Sequence, residues 1–314
     1  MLIDWIACTV ASGAPAVTEW FKKGLPGPWL ALDHAPGRHT RTMRCGGVAI
    51  YTDAPNDESI HIVVSGKGCR ELEAAGMVTG WPDFLARLLR GGASFSRLDV
   101  AIDDKDGLLK MDDILACCQG ERVVTRYKKI ISSEERHKDT GAVMGRQVTF
   151  GTRQSDSLVR IYDKALKQGV AGHWIRVELE ARNQRAQAVA RAIGNKGGGV
   201  PGILLSCLNF KECGSSVRRD RWPTAAWWTS FLGTNQRFQL ETAPRNESLE
   251  KSHRWLIKQA SRAFANVHDS GLYDTLIDDL LAQGRQKRDG KPSKTTQKSQ
   301  APGGETAPNS QFVP

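Results

Sequence analysis

No run of eighteen or more consecutive apolar residues occurs in the 314-residue chain, so no segment has the length and hydropathy of a membrane-spanning helix. Cysteines number seven, an odd count, and none forms a CxxC; Cys117 and Cys118 are neighbours and the others are scattered. That pattern argues against a disulfide framework and a structural zinc site, and it fits a reducing, cytoplasmic setting. The seven histidines are isolated, with no His-x-His triplet. No GxxxxGKS or GxxxxGKT phosphate loop is present. Tyrosine is scarce, limited to Tyr51, Tyr127, Tyr162 and Tyr273. The opening MLIDWIACTVASGAPAV carries an acid and a tryptophan where a secretory signal has basic and then unbroken apolar residues, and it reads as a first strand.

What the chain has in excess is positive charge. A formal net charge of +10 favours a polyanionic partner. The last segment, Arg285–Pro314, holds six cations (Arg285, Lys287, Arg288, Lys291, Lys294 and Lys298) against Asp289 and Glu305. The rest of the chain therefore keeps a basic excess of its own, and nucleic acid is the expected partner rather than a membrane.

The pattern of elements predicts an α+β protein with a mostly antiparallel central sheet, helices on one face and a polar, open face on the other. Strand candidates are IDWIACTV, GGVAIYTD, SIHIVVSGKGC, FSRLDVAIDD, RQVTFGT, LVRIYDKALK and HWIRVELEAR. WPDFLARLLRGG, KMDDILACC and NQRAQAVARAIG read as helices, the first with proline in its first turn and a glycine pair at its end. Residues 1–210 form the expected catalytic α+β domain. WPTAAWWTSFLG, SLEKSHRWLIKQASRAFANV and GLYDTLIDDLLAQG make a helical C-terminal part over 211–284. The remaining 285–314, rich in Lys, Ser, Thr, Gln, Gly and Pro, is expected to be disordered.

Side chains alternate between the two faces of a strand. In RLDVAIDD, Leu98, Val100 and Ile102 share one face, and Arg97, Asp99, Ala101 and Asp103 the other. In WIRVELEAR, Ile175, Val177 and Leu179 oppose Arg176, Glu178, Glu180 and Arg182. In LVRIYDK, Val159 and Ile161 oppose Leu158, Arg160, Tyr162 and Lys164. If the three strands share a sheet, their polar faces merge into one surface of acids, cations and a phenol. Clustered carboxylates repel unless a cation lies between them, and hard oxygen donors with few protein ligands suit Mg2+ or Mn2+. An antiparallel sheet with one solvated face can also carry such charges as plain cross-strand pairs.

FSRLDVAIDD, FGTRQSDSLVRIYDKALKQ and WIRVELEAR, in this order and spacing, resemble the replication initiation factor family, the trans-acting Rep group of rolling-circle initiators from plasmids and filamentous phages. IDWIACTV and VSGKGCREL are similar to that family's early strands. The resemblance covers roughly residues 3–240. It implies a protein that binds a double-strand origin and nicks one strand. A tyrosine takes the 5′ phosphate, a free 3′ hydroxyl remains, and the strand is later resealed. It implies Tyr162 as nucleophile with Arg160 and Lys164 beside it, and Asp99, Asp103, Glu178 and Glu180 as the acids for Mg2+ or Mn2+. Other rolling-circle initiators and relaxases use a His-hydrophobic-His metal motif, so its absence fits a carboxylate-based relative. Also implied are single-stranded DNA, a host helicase, a host DNA polymerase and a homodimer as partners.

Arg176, Arg185, Arg218, Arg219 and Arg221 are the expected DNA contacts, the last three beside Trp222 in SSVRRDRWPTAAWW. Tyr127, flanked by cations in TRYKKI, is either a second nucleophile or a packed aromatic. Two other readings remain open from the residues alone: a metal-dependent endonuclease that uses water, and a non-catalytic origin-binding protein.

Overall fold

The alternating segments assemble into one broad sheet in the computed structural model, which describes residues 1–289 apart from 12–13, 56–57, 196–198, 234–237, 239 and 241–248. The first half contains β1 (Leu2–Val10), α1 (Ala14–Gly24), β2 (Leu30–Leu32), β3 (Arg41–Cys45), β4 (Val48–Thr52), β5 (Ile60–Val64), α2 (Gly66–Ala74), α3 (Trp81–Arg90), β6 (Ser94–Asp104) and α4 (Met111–Gln119). Then come β7 (Val123–Thr125), β8 (Ile130–Arg136), β9 (Val143–Phe150), β10 (Ser157–Asp163), α5 (Lys164–Gln168), β11 (Ile175–Arg182) and α6 (Asn183–Gly194). The last are α7 (Val200–Cys207), β12 (Leu208–Phe210), α8 (Ala226–Leu232), α9 (Leu249–Asp269) and α10 (Tyr273–Asp289).

Ten strands form the sheet in the order β2-β3-β4-β5-β1-β6-β11-β10-β9-β8, with every neighbouring pair antiparallel. The fold is thus the α+β class read from the sequence. Strands far apart in the chain meet at the centre, where β1, β6, β11 and β10 lie side by side. Register pairs Leu179 with Val100 and Val159 with Leu179, so the apolar residues of three strands share one face. Leu98, Val100, Val159, Ile161, Val177 and Leu179 are fully buried there. Helices α6 and α7 pack on β6, and α3 packs on α6. Burying a Val, Leu or Ile contributes about 1.5–3 kcal/mol each, so this layer is the main source of stability for the face opposite the acids.

Met1–Ala243 is one compact unit and Pro244–Pro314 a second. The first unit includes α7, α8 and the two-stranded β7–β12 ribbon, with Trp228 fully buried against Phe210. In the second, α9 and α10 meet through Phe264 and Tyr273. Helix α10 reaches Asp289, past Arg285 where the sequence reading began its disordered tail, and residues 290–314 lie outside the described residues.

Some boundaries differ from the sequence reading. β5 stops at Val64, because the Ser65 hydroxyl accepts from the Gly68 N–H and starts α2 over a segment read as strand. β10 stops at Asp163, whose carboxylate accepts from the Leu166 N–H and caps α5, so KALKQ is a short helix closed by Gly169 in the left-handed region (φ 64°).

Candidate active site

Register brings the polar residues of four strands together. Glu180 lies opposite Asp99 and Arg176 opposite Asp103 across β11–β6; Arg160 lies opposite Glu178 and Tyr162 opposite Arg176 across β10–β11. β1 adds to them through an irregularity. Ile3 pairs with Val100 and Trp5 with Asp99, leaving Asp4 as an extra residue in the strand. Asp4 thereby reaches Arg176 on the polar side.

The charges sort into two groups. In the first, Arg97 donates to both oxygens of Asp99 (3.0 and 2.6 Å) and to Glu180 Oε2 (3.2 Å). Arg160 donates to Glu178 Oε1 (2.5 Å) and Glu180 Oε2 (3.1 Å), and Arg182 pairs with Glu180 Oε1. In the second, Arg176 forks onto Asp103 (2.6 and 2.8 Å) and also reaches Asp4. Tyr162 joins the first group: its hydroxyl donates to Glu178 Oε2 at 3.1 Å.

This face is less open than the sequence reading expected. Tyr162 is 8% exposed, and Asp99, Glu178 and Glu180 are 3–6% exposed. The long side chains of Arg97 and Arg160 remain partly exposed while holding the acids, so cross-strand pairing closes the surface over them.

Burial sets the proton affinities. It pushes Asp99 up to about 6, against the hydrogen bonds from Arg97 and with the charges of Glu178 and Glu180 adding. Asp103 goes the other way: burial alone would raise it, but the Arg176 fork holds it below the usual carboxylate range. Burial and then the Glu178 charge raise the Tyr162 phenol, and the Arg176 charge only partly opposes them. The cation next to Tyr162 in the strand does not ease its ionisation in the resting site, because Arg160 spends its charge on Glu178 and Glu180. Lys164 sits over the Trp174 ring (4.5 Å), its pKa lowered by burial and by Arg176. Lys167 lies over the Tyr162 ring at 4.9 Å.

Among the described residues no three carboxylates, imidazoles or thiolates form a ready-made metal cage. Even so, the first group has the chemistry of a hard-cation site. Asp99, Glu178 and Glu180 are close enough that their mutual repulsion raises Asp99, and each carboxylate keeps lone pairs beyond those its arginines use. Asp103 stands apart from these three, in the second group, on Arg176 with Asp4.

The expected DNA contacts scatter. Arg176 is buried at 4% exposure and engaged by two acids, so it positions carboxylates instead of meeting a phosphate. Arg185 is half-buried on α6, in the helical layer. Arg218, Arg219 and Arg221 are exposed at a short 3-10 turn beside β7; Arg218 pairs with Asp220 and Arg219 with Glu121. Tyr127 bonds to Ser157 (3.0 Å), which points to the face of β10 opposite Tyr162, and burial raises its phenol too. It is a packed aromatic. Asp4 and Arg97 complete the site yet were not singled out from the sequence; an acid inside the otherwise apolar start of β1 was the available signal for Asp4.

Comparison with known proteins gives these strands a context. The sequence model described as "Replication initiation factor" matches residues 93–281, from just before β6 into α10. The chain is 27% identical over 253 residues to a putative DNA relaxase, NicK, of Bacillus subtilis (strain 168), covering 75% of this chain and 72% of the relative. A solved rolling-circle replication initiator protein from Geobacillus stearothermophilus superposes with a TM-score of 0.65 at 28% identity, covering 77% of this chain and 98% of that one.

Proposed function

The chain belongs to the replication initiation factor family, and on that premise we propose that it nicks one strand of a double-strand origin and joins the cut DNA to Tyr162. The relatives named as a relaxase and a rolling-circle initiator support a DNA-nicking role. The observation that carries the chemistry is the 3.1 Å hydrogen bond from the Tyr162 hydroxyl to Glu178 Oε2. That distance is within reach for direct proton transfer.

A raised phenol pKa means that no phenolate waits in the site. Deprotonation must accompany attack, and Glu178 is placed to receive the proton because Arg160 occupies its other oxygen. The Tyr162 Oη–phosphorus bond forms as the bond to the 3′ oxygen breaks. The number of phosphate ester bonds is conserved, so the reverse step can reseal the strand. Arg160 and Arg97, the partly exposed cations of the face, are placed to meet the non-bridging oxygens. Asp99, Glu178 and Glu180 are the residues that would hold Mg2+ or Mn2+, and such an ion supplies charge neutralisation at the phosphate and at the leaving oxygen. Lys164, beside the nucleophile, is a further proton carrier for that oxygen.

The freed 3′ hydroxyl is a primer for a host polymerase, and unwinding falls to a host helicase because the chain lacks a nucleotide-binding loop. Release of the first strand end needs a second nucleophile. With Tyr127 on the covered face, Tyr162 of a second copy is the candidate, which calls for a dimer at that stage.

Burial of Tyr162 favours one rival, a water-using nuclease in which the phenol only orients Glu178. The two part on a simple assay. Incubating the protein with a labelled single-stranded origin library and Mg2+ or Mn2+ gives a DNA-protein band that survives denaturation if Tyr162 is the nucleophile. Free cut DNA with no such band supports the rival.

A further inference from the structure

The polar face continues past the acids onto β1, β5, β4 and β3, and its character changes there. Register puts Ala7 and Thr9 of β1, His61 and Val63 of β5, and Ala49 and Tyr51 of β4 on the same side as Trp5 and Asp99. Trp5, Thr9, His61, Val63, Ala49 and Tyr51 floor a groove of about 710 Å³. Its rings stand close to parallel: Tyr51 and His61 are 6.0 Å apart at 13°, and His39 and His61 are 6.3 Å apart at 22°. Small residues, Ala49 and the pair Gly46–Gly47, line the same groove. Exposed Arg38, Arg44 and Lys67 line the same groove, and no carboxylate does among the described residues. Trp5 belongs to both regions. It lines the groove, lies opposite Asp99 in register and carries the Arg97 guanidinium 4.7 Å above its ring.

We propose that this groove binds the single strand adjoining the scissile phosphate, stacking unpaired bases on Tyr51, His61 and Trp5 while Arg38, Arg44 and Lys67 track the backbone. Rings for base faces and cations for phosphates are the two components that a sequence-tolerant single-strand site needs. Bases in a duplex are stacked on one another and their faces cannot reach such rings, so the groove selects melted DNA. Burial, with the nearby His39 and Arg38, lowers the pKa of His61, which keeps it a neutral ring against a base. Four strand spacings separate β10 from β5, about 19 Å, which a few nucleotides span. The inference rests on the proposed nicking of DNA and adds to it where the strand lies.

The test uses full-length protein carrying Tyr162→Phe, so that binding is read without chemistry. Fluorescence anisotropy is measured with a labelled oligothymidine and with a duplex of equal length. Tyr51→Ala is expected to weaken single-strand binding at least about fivefold and leave duplex binding unchanged. The double variant Arg44→Ala, Lys67→Ala should flatten the salt dependence of single-strand binding by about 1.4 in log–log slope. Both its side chains are exposed, so it remains decisive if Tyr51→Ala loses its thermal transition. Single-strand affinity and salt slope equal to those of the parent overturn the groove, as does an equal loss for single strand and duplex. Cutting by Tyr162→Phe protein would instead overturn the tyrosine chemistry while leaving this binding result standing.

Discussion

At the scale of single residues, the site is a balance of carboxylates and guanidiniums into which one phenol is inserted. Glu178 has two roles on two oxygens, one held by Arg160 and one facing Tyr162. Glu178→Gln keeps the shape but cannot accept the phenolic proton, and it should slow cutting of labelled single-stranded DNA about 10²–10⁴-fold in single-turnover assays. Arg176 acts through stability instead. Replacing it by Ala leaves the half-buried Asp103 and Asp4 without their partner, an expected loss of about 1–3 kcal/mol in urea unfolding. Alternation along three strands was enough to place Tyr162, Arg160, Asp99, Glu178 and Glu180 on one surface. It could not show that the surface closes over itself, because closure depends on which arginine reaches which acid across strands.

At the scale of elements, the long strands β6, β10 and β11 were legible because their apolar and polar residues alternate cleanly. β8 was not, since IISSEER has every residue exposed and shows no buried side to read. The irregularity that delivers Asp4 was equally hidden: it is a property of the β1–β6 pairing and has no mark in β1 alone. Caps decided the two misplaced strand ends, with Ser65 and Asp163 starting helices where strand propensity ran on. A further acid fixes the turn after β6. Asp104 is buried, accepts from the Asp106 and Leu109 N–H groups (3.1 and 2.7 Å) and pairs with His173 (2.8 Å). Burial works to raise its pKa, but these partners win and the folded value lies below the unfolded one. Its contribution is therefore complete above the unfolded carboxylate pKa and disappears as pH falls through the depressed value. Asp104→Asn should cost about 1–3 kcal/mol at neutral pH in urea unfolding, with the gap from the wild type closing in acid.

At the scale of the whole molecule, charge is divided by place. The net +10 is spread over the chain, yet the acids gather at the centre of one sheet face and the groove beside them is basic. A polyanion is thus attracted to the protein generally, while at the sheet centre Asp99, Glu178 and Glu180 are matched by Arg97, Arg160 and Arg182. On the proposed reading, a divalent cation held by these acids would bring the scissile phosphate to them. Chelation with EDTA should stop cutting of labelled DNA, and Mg2+ or Mn2+ should restore it, while anisotropy still detects DNA binding. No described helix is long and apolar enough to cross a membrane, in keeping with the sequence. The most direct test of the central claim is to trap the protein-linked DNA, digest both components and locate the nucleotide-bearing peptide by mass spectrometry. The modification should fall on Tyr162, and Tyr162→Phe protein should give neither adduct nor cut strand. An adduct on Tyr127, or undiminished cutting by Tyr162→Phe, would contradict it.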